Sequence, residues 1–339
     1  MNNSYRRIRN QTLVITEGNH EKNLLLKLIL TSFPEIPIIE ENILMYETNI
    51  YVLYNKIVSE YGTDWSEQDI DLPKCVSHWK SITPELEKRN FTNVILIFDY
   101  ERHDPNFSET VIQELQEYFS DINDNGQLLI NYPMVESYRD IDLCNTCEFE
   151  NLCVCANILK GSEYKNKVKA RETHRIFHVY NKLIDHIDDY LHNKQLSQII
   201  TMKILKEIGD RLELQQSFFS KLSGYMNVKD ARTLSYQYSA LLSSLGFNNS
   251  EENYFSYLRS VFFTIIIANI RKASKLQGRD YSMGIEDLKD FYYDNLCYLD
   301  ILSKQNNDSR NAANGFIWVI NTSIFIVANY KFFWREILK

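Results

Sequence analysis

Two apolar runs that end in carboxylates constrain this chain more than anything else in it. Thr12-Leu13-Val14-Ile15-Thr16 runs into Glu17-Gly18, and Val94-Ile95-Leu96-Ile97-Phe98 runs into Asp99-Tyr100-Glu101. Short apolar runs rich in β-branched residues, with no polar alternation, read as strands buried on both faces, the kind that build parallel sheets. Ligands of open α/β sheets bind at the carboxyl ends of the strands. Glu17, Asp99 and Glu101 are therefore expected to meet at one edge of a sheet, although they come from distant parts of the chain. Carboxylates brought together repel unless a cation sits between them, and hard oxygen ligands suit Mg²⁺ or Mn²⁺.

The surrounding sequence fits an alternation of strands and helices. Strand Thr12–Thr16 leads through Gly18-Asn19-His20 into an amphipathic helix over Glu21–Ser32, stopped by Pro34 and Pro37. Ile43–Tyr54 reads as a strand running into a helix, residues 62–73 as an acidic loop, and Val76–Lys88 as a helix. After strand Val94–Phe98, Ser108 is placed to cap a helix through Tyr118, Asp124-Asn125-Gly126 marks a turn, and Gln127–Tyr132 is the next strand. Such alternation implies a parallel sheet with helical cover. Beyond residue 157 the pattern turns helical, over 172–215 and 230–275. The apolar stretches Val261–Ile270 and Phe316–Val327 are too short for a membrane span and read as buried helices. With only 10 Gly and 6 Pro, long helices are favoured over a loop-rich β sandwich.

Charge divides the chain in the same place. Up to residue 160 acidic side chains outnumber basic ones two to one, whereas beyond it Lys and Arg are in the majority, for a net charge of −8 overall. Arg6, Arg7 and Arg9 near the start precede a strand and no apolar leader, and six cysteines in a chain of this size do not form a secreted disulfide framework, so a cytoplasmic protein is expected.

A further acid follows the strand Gln127–Tyr132, in Tyr132-Pro133-Met134-Val135-Glu136-Ser137-Tyr138. With that segment a family resemblance emerges. Val14-Ile15-Thr16-Glu17-Gly18 with Glu21-Lys22 resembles the first motif of the TOPRIM domain, and Ile97-Phe98-Asp99-Tyr100-Glu101 resembles its aspartate-x-aspartate motif, with Glu in the second place. Met134-Val135-Glu136-Ser137-Tyr138 is similar to a segment of the OLD-related TOPRIM nucleases, among them the stand-alone TOPRIM effector of PARIS-type anti-phage systems. The resemblance covers roughly residues 10–140. It implies a TOPRIM-like, Rossmann-like α/β domain over 1–142 and an Mg²⁺- or Mn²⁺-dependent nuclease of DNA or RNA, tRNA included, deployed in antiviral defence. By match, Glu17 is a general acid/base or ligand, Asp99 and Glu101 are metal ligands, and Glu136 is an auxiliary ligand. No downstream Ser-x-Lys motif and no Walker A sequence is present, so a partner ATPase or sensor would be a separate protein. A non-catalytic binding or scaffold subunit of a defence complex is the alternative.

Two further clusters complete the reading. Cys144, Cys147, Cys153 and Cys155 have a spacing that could hold one structural Zn²⁺ in an insert over 143–157. Lys165, Lys167, Lys169 and Arg171 form a basic stretch able to bind nucleic-acid phosphates. The all-α remainder, 158–339, is expected to serve homodimerisation or partner docking. Cys75 and Cys297 read as lone thiols, and His103 as a loop histidine.

Overall fold

The computed structural model describes residues 11–156, 161–206, 211–247, 252–280, 282–310 and 314–339. The arginines at 6, 7 and 9 lie outside these residues. Its centre is a five-stranded sheet made of β1 (Thr12–Thr16), β2 (Ile43–Met45), β3 (Asn93–Asp99), β4 (Ser120–Asp121) and β5 (Gly126–Asn131), in the spatial order β2-β1-β3-β5-β4. The four longer strands are parallel, and the two-residue β4 runs antiparallel at the edge. β1 is buried at every position and β3 at all but its first, as the unbroken apolar runs require of strands covered on both faces.

Helices cover the sheet. A π-helical turn over Glu21–Leu26 continues as α1 (Lys27–Ser32), followed by α2 (Ile50–Tyr61), α3 (Leu72–Lys80) and α4 (Glu109–Tyr118). Short polar side chains start them. Asn49 accepts from the Val52 amide, Asp71 from Lys74 and Ser108 from Val111. The helix expected to reach Lys88 ends at Lys80. Ser81 takes a left-handed conformation (φ 54°) there and its amide returns to His78 and Ser77.

The second half of the chain is helical, with α5 (Gly161–Lys169), α6 (Glu172–Leu191), α7 (Lys194–Leu205), α8 (Arg211–Leu222), α9 (Val228–Ser244), α10 (Tyr254–Leu276), α11 (Ile285–Asp294), α12 (Tyr298–Ser309), α13 (Phe325–Ala328) and α14 (Lys331–Ile337). No helix of the described residues is long and apolar enough to cross a membrane. The α/β and helical halves share one continuous apolar core. Phe33 after α1 packs on Phe262 and Phe263 of α10, and Arg259 lies over the same rings.

Phe316–Val327 is not one buried helix. Its first residues form β7 (Phe316–Trp318), antiparallel to β6 (Cys153–Cys155), and only Phe325–Ala328 is helical. The reason lies in the polar triplet between them. Ile320 and Tyr132 exchange both backbone hydrogen bonds at 2.9 Å. Asn321 then donates to the Val135 carbonyl (2.8 Å), the Thr322 hydroxyl to Ile130 (2.9 Å), and the Ser323 hydroxyl to the Asn131 side chain (2.6 Å). All three residues are buried, and they hydrogen-bond two groups at the end of β5 and one at the start of the 3₁₀ turn Val135–Arg139. This clamp fixes the loop carrying Glu136.

Replacing Asn321 by Ala removes the donor to Val135 and the acceptor of the Ile324 amide (3.2 Å), both in the interior. The expected loss is about 2–4 kcal/mol of stability, read by denaturant unfolding. A loss under about 0.5 kcal/mol would show that the clamp is dispensable.

Candidate metal centre

β2 lies on one side of β1 and β3 on the other, so the crevice where an open sheet binds its ligand opens at the carboxyl ends of β1 and β3. The acidic motifs stand there. Glu17 directly follows β1, its amide donating to Ile97 (3.0 Å) and its carbonyl accepting from Glu47 (2.8 Å), so its backbone is held from both sides. Its Oε2 accepts from the backbone amide of Asp99 at 3.0 Å. Asp99 closes β3, is 7% exposed, and receives a long 3.5 Å contact from the Asn131 side chain. Glu101 follows in a left-handed conformation (φ 45°), its carbonyl accepting from Asp104 at 2.9 Å. Extended backbone would point Asp99 and Glu101, two residues apart, the same way, but the strand stops at Asp99 and Glu101 opens a turn. Tyr100 between them is buried, with its hydroxyl on Asn306 (2.6 Å), which anchors the turn.

Each of Glu17, Asp99 and Glu101 offers one carboxylate oxygen, and these three atoms lie within 4.8 Å of one another. Among the described residues this is the only convergent group of three or more side chains able to ligate a metal. Such a group can hold a cation, which removes the repulsion that otherwise forces protons onto it.

Without a cation, burial and mutual repulsion raise all three acids. Glu17 is pushed up to about 8, first by burial and then by Glu101 and Glu21, against the pull of the Asp99 amide. Asp99 is raised well above the carboxylate range, first by burial and then by Glu17, Glu21, Glu136 and Glu101. Glu101 is raised by burial and by Asp104.

Glu136 stands beside this trio without joining it. It sits in the 3₁₀ turn Val135–Arg139, 5% exposed, with Oε1 3.4 Å from Lys165 Nζ and 3.9 Å from His20 Nδ1, and with Oε2 lacking a hydrogen-bond partner. Lys165 is therefore part of the centre. Burial pulls its ammonium down, but Glu136, Asp99 and Glu21 lift it above its ordinary value. Together with Glu101, Arg102, His103 and Met134 it lines a cleft of about 310 Å³. A larger cavity of about 620 Å³, between Lys22, Lys27 and Lys203, is lined by none of the three converging carboxylates.

The rest of the basic stretch is engaged differently. Lys167 (2.9 Å) and Arg171 (2.8 Å) both pair with Asp140, which is fully buried and takes their charge. Lys169 is exposed and contacts Asn166 (3.3 Å). Sequence reasoning passed over Glu21, whose buried carboxylate accepts from the Gly18 amide (3.1 Å) and is raised by burial and then by Glu136. Its place four residues after Glu17, at the start of the following helix, was the available signal.

The four cysteines expected to hold zinc are not gathered into a ligand set. Cys153 and Cys155 belong to β6, tied to β7, while Cys144 and Cys147 flank the start of the 3₁₀ turn Thr146–Asn151, and the first three are exposed. Cys144 lies near Tyr257 and Cys153 near Lys272, fifteen residues further along α10, a rise of about 22 Å. Lysines pin this segment instead. Lys272, fully buried, donates to the carbonyls of Phe149 (2.7 Å) and Leu152 (2.6 Å), and Lys275 reaches Glu150 (2.8 Å) and Asn151 (2.6 Å).

Compared with protein-family models, with curated proteins and with solved structures, the chain shows no match.

The folded state binds protons at Glu17 and its neighbours more tightly than the unfolded chain does. Their contribution to stability is therefore full below about 4.5 and is lost as pH rises through about 8. In EDTA the melting temperature should fall between about pH 5 and about pH 8.5, Glu17→Gln should flatten that fall, and the gain from added Mg²⁺ or Mn²⁺ should grow with pH. A flat profile in the parent protein would refute the clustering. For the cysteine segment, Cys144→Ser with Cys147→Ser should change stability by less than about 0.5 kcal/mol, because both thiols are exposed.

Proposed function

We propose that this protein is a divalent-metal-dependent hydrolase of nucleic-acid phosphodiesters. The observation that carries the reading is the convergence of Glu17, Asp99 and Glu101 at the crevice between β1 and β3. Asp99 and Glu101 would hold Mg²⁺ or Mn²⁺, with Glu17 as a third ligand or as the base. A cation of this kind activates water and offsets charge on a phosphoryl group.

The chain's own groups supply the rest. Glu17 is placed to accept a proton from the attacking water, being the least buried of the three together with Glu101 and held in register by the Asp99 amide. Lys165, at the mouth of the cleft, adds the positive charge that a phosphodiester requires beside so many carboxylates. A dication and the Lys165 ammonium would offset much of the negative charge of Glu17, Asp99, Glu101, Glu21 and Glu136, which otherwise repels an anionic substrate.

The motif resemblance extends this to a TOPRIM nuclease of the OLD-related type, a cytoplasmic effector of antiviral defence acting as a homodimer with a partner ATPase or sensor. The second reading, a non-catalytic binding subunit, draws on Glu101, whose longer arm and left-handed backbone depart from the motif.

One set of measurements separates the two readings. The full-length protein is incubated with Mg²⁺ or Mn²⁺ and with DNA, tRNA or cellular RNA, beside Glu17→Gln and Asp99→Asn, and divalent binding is measured by calorimetry. The expected outcome is cleavage that falls about a hundredfold or more in both variants, with metal binding weakened in Asp99→Asn. Cleavage that persists in both variants, or a parent that binds no divalent cation, would overturn the proposal. Metal binding with no cleavage of any substrate would favour the non-catalytic reading.

A further inference from the structure

Beside the metal centre lies a second cluster, of opposite sign. Arg139 ends the 3₁₀ turn that carries Glu136 and is 2% exposed. Its Nη2 lies 3.2 Å from Nε2 of His20, while Nε and Nη1 have no hydrogen-bond partner. No carboxylate among the described residues forms an ion pair with it. Its other neighbour is the ring of Tyr138, 5.1 Å from the guanidinium carbon. An arginine cannot shed its proton, so a buried guanidinium with two idle donors is destabilising unless something anionic meets it.

The groups around Arg139 bring it no compensating charge. His174 and His178 stand one turn apart on α6, ring centroids 3.9 Å from each other, and the Nδ1 of His174 is buried without a partner. Burial and then the surrounding cations, chiefly Arg139, the neighbouring imidazoles, Lys169 and Lys182, hold His174 at about 3 and His178 at about 4. His20 is likewise pushed well down, by burial, then Arg139, His178, Lys165 and His174. The acids that face this group are Glu136, 3.9 Å from His20, and Asp185 near His178. Both imidazoles of α6 are partly exposed, so this side of the cluster meets solvent, while the idle guanidinium atoms behind them are enclosed.

We infer that Arg139, His20, His174 and His178 form an oxyanion subsite that holds a phosphate group of the nucleic-acid strand next to the one at the metal centre. Donors and geometry agree. The guanidinium offers idle donors at Nε and Nη1, on different edges, each able to meet one phosphate oxygen. The imidazoles of His174 and His178 supply further N–H donors, whereas His20 lies against Nη2 and orients the guanidinium. Glu136, hydrogen-bonding distance from Lys165 and close to His20, separates the two sites and keeps the cationic cluster from collapsing onto the carboxylates. The inference rests on the proposed hydrolysis for the identity of the ligand, whereas the anion site itself stands on the unpartnered guanidinium.

The test uses inorganic phosphate as probe and the full-length protein in EDTA, so that metal chemistry is silent. Phosphate at constant ionic strength should raise the melting temperature above that in chloride and should move the imidazole resonances of His174 and His178 towards the protonated form. Arg139→Met should weaken phosphate binding about tenfold or more, while raising the stability of the phosphate-free protein because the uncompensated charge is gone. His174→Asn with His178→Asn, on the partly exposed face of α6, should weaken binding without altering the fold. On nucleic acid the same pair should raise KM with kcat little changed. Equal phosphate binding in the parent, Arg139→Met and the histidine pair would overturn the inference, as would a parent indifferent to phosphate. Asp99→Asn separates the two proposals, since it should abolish cleavage and leave phosphate binding intact. Phosphate binding without cleavage of any nucleic acid would retire the hydrolase and keep the anion site.

Discussion

Everything at the functional end of this molecule depends on one hydrogen bond, from the backbone amide of Asp99 to the carboxylate of Glu17. It joins the ends of two adjacent parallel strands and sets one acid directly against the next. In a low-dielectric interior that placement is costly for two ionised carboxylates, and the cost is the source of the site's appetite for protons or for a cation. The sheet can afford it because β1 and β3 are covered on both faces by a continuous apolar core.

Around that contact the structure sorts charge into layers. Three carboxylates converge, a fourth and fifth (Glu21 and Glu136) stand behind them, Lys165 closes the cleft, and a guanidinium with three imidazoles lies beyond Glu136. The alternation of sign means that no single group can be changed without altering the charge its neighbours feel. Functional reading therefore attaches to the whole arrangement, with the converging trio as its centre.

The strand ends were legible because they rest on local signals. An unbroken run such as Val94–Phe98 has only one comfortable place, the middle of a parallel sheet, and the acids after it must then share an edge. The cap at Ser108 follows the same local logic, whereas those at Asn49 and Asp71 were not read from the sequence. What the sequence concealed is non-local. The pairing of Cys153–Cys155 with Phe316–Trp318 joins segments from opposite halves, and no local periodicity announces it. Closely spaced cysteines look the same whether a metal or a strand pair orders them, and here Lys272 holds the adjacent carbonyls. Arg139 was invisible for a similar reason, since nothing in its neighbours indicates that a guanidinium will be buried. The spacing of His174 and His178 on a helix was the visible trace of that cluster. Phe316–Val327 misled because its apolar residues were weighed above the three polar ones that decide its path.

The Asn131 side chain donates to Asp99 and accepts from Ser323, so the placement of the central acid is finished by a residue 192 positions further along the chain. At ribosomal rates of about 5–20 residues per second, that partner emerges roughly 10–40 s after the sheet strand it completes. The nascent chain thus carries its acidic ends for many seconds before the amide that orients them is itself locked. The geometry of the crevice is therefore completed only after that later segment has been made, in an order set by synthesis.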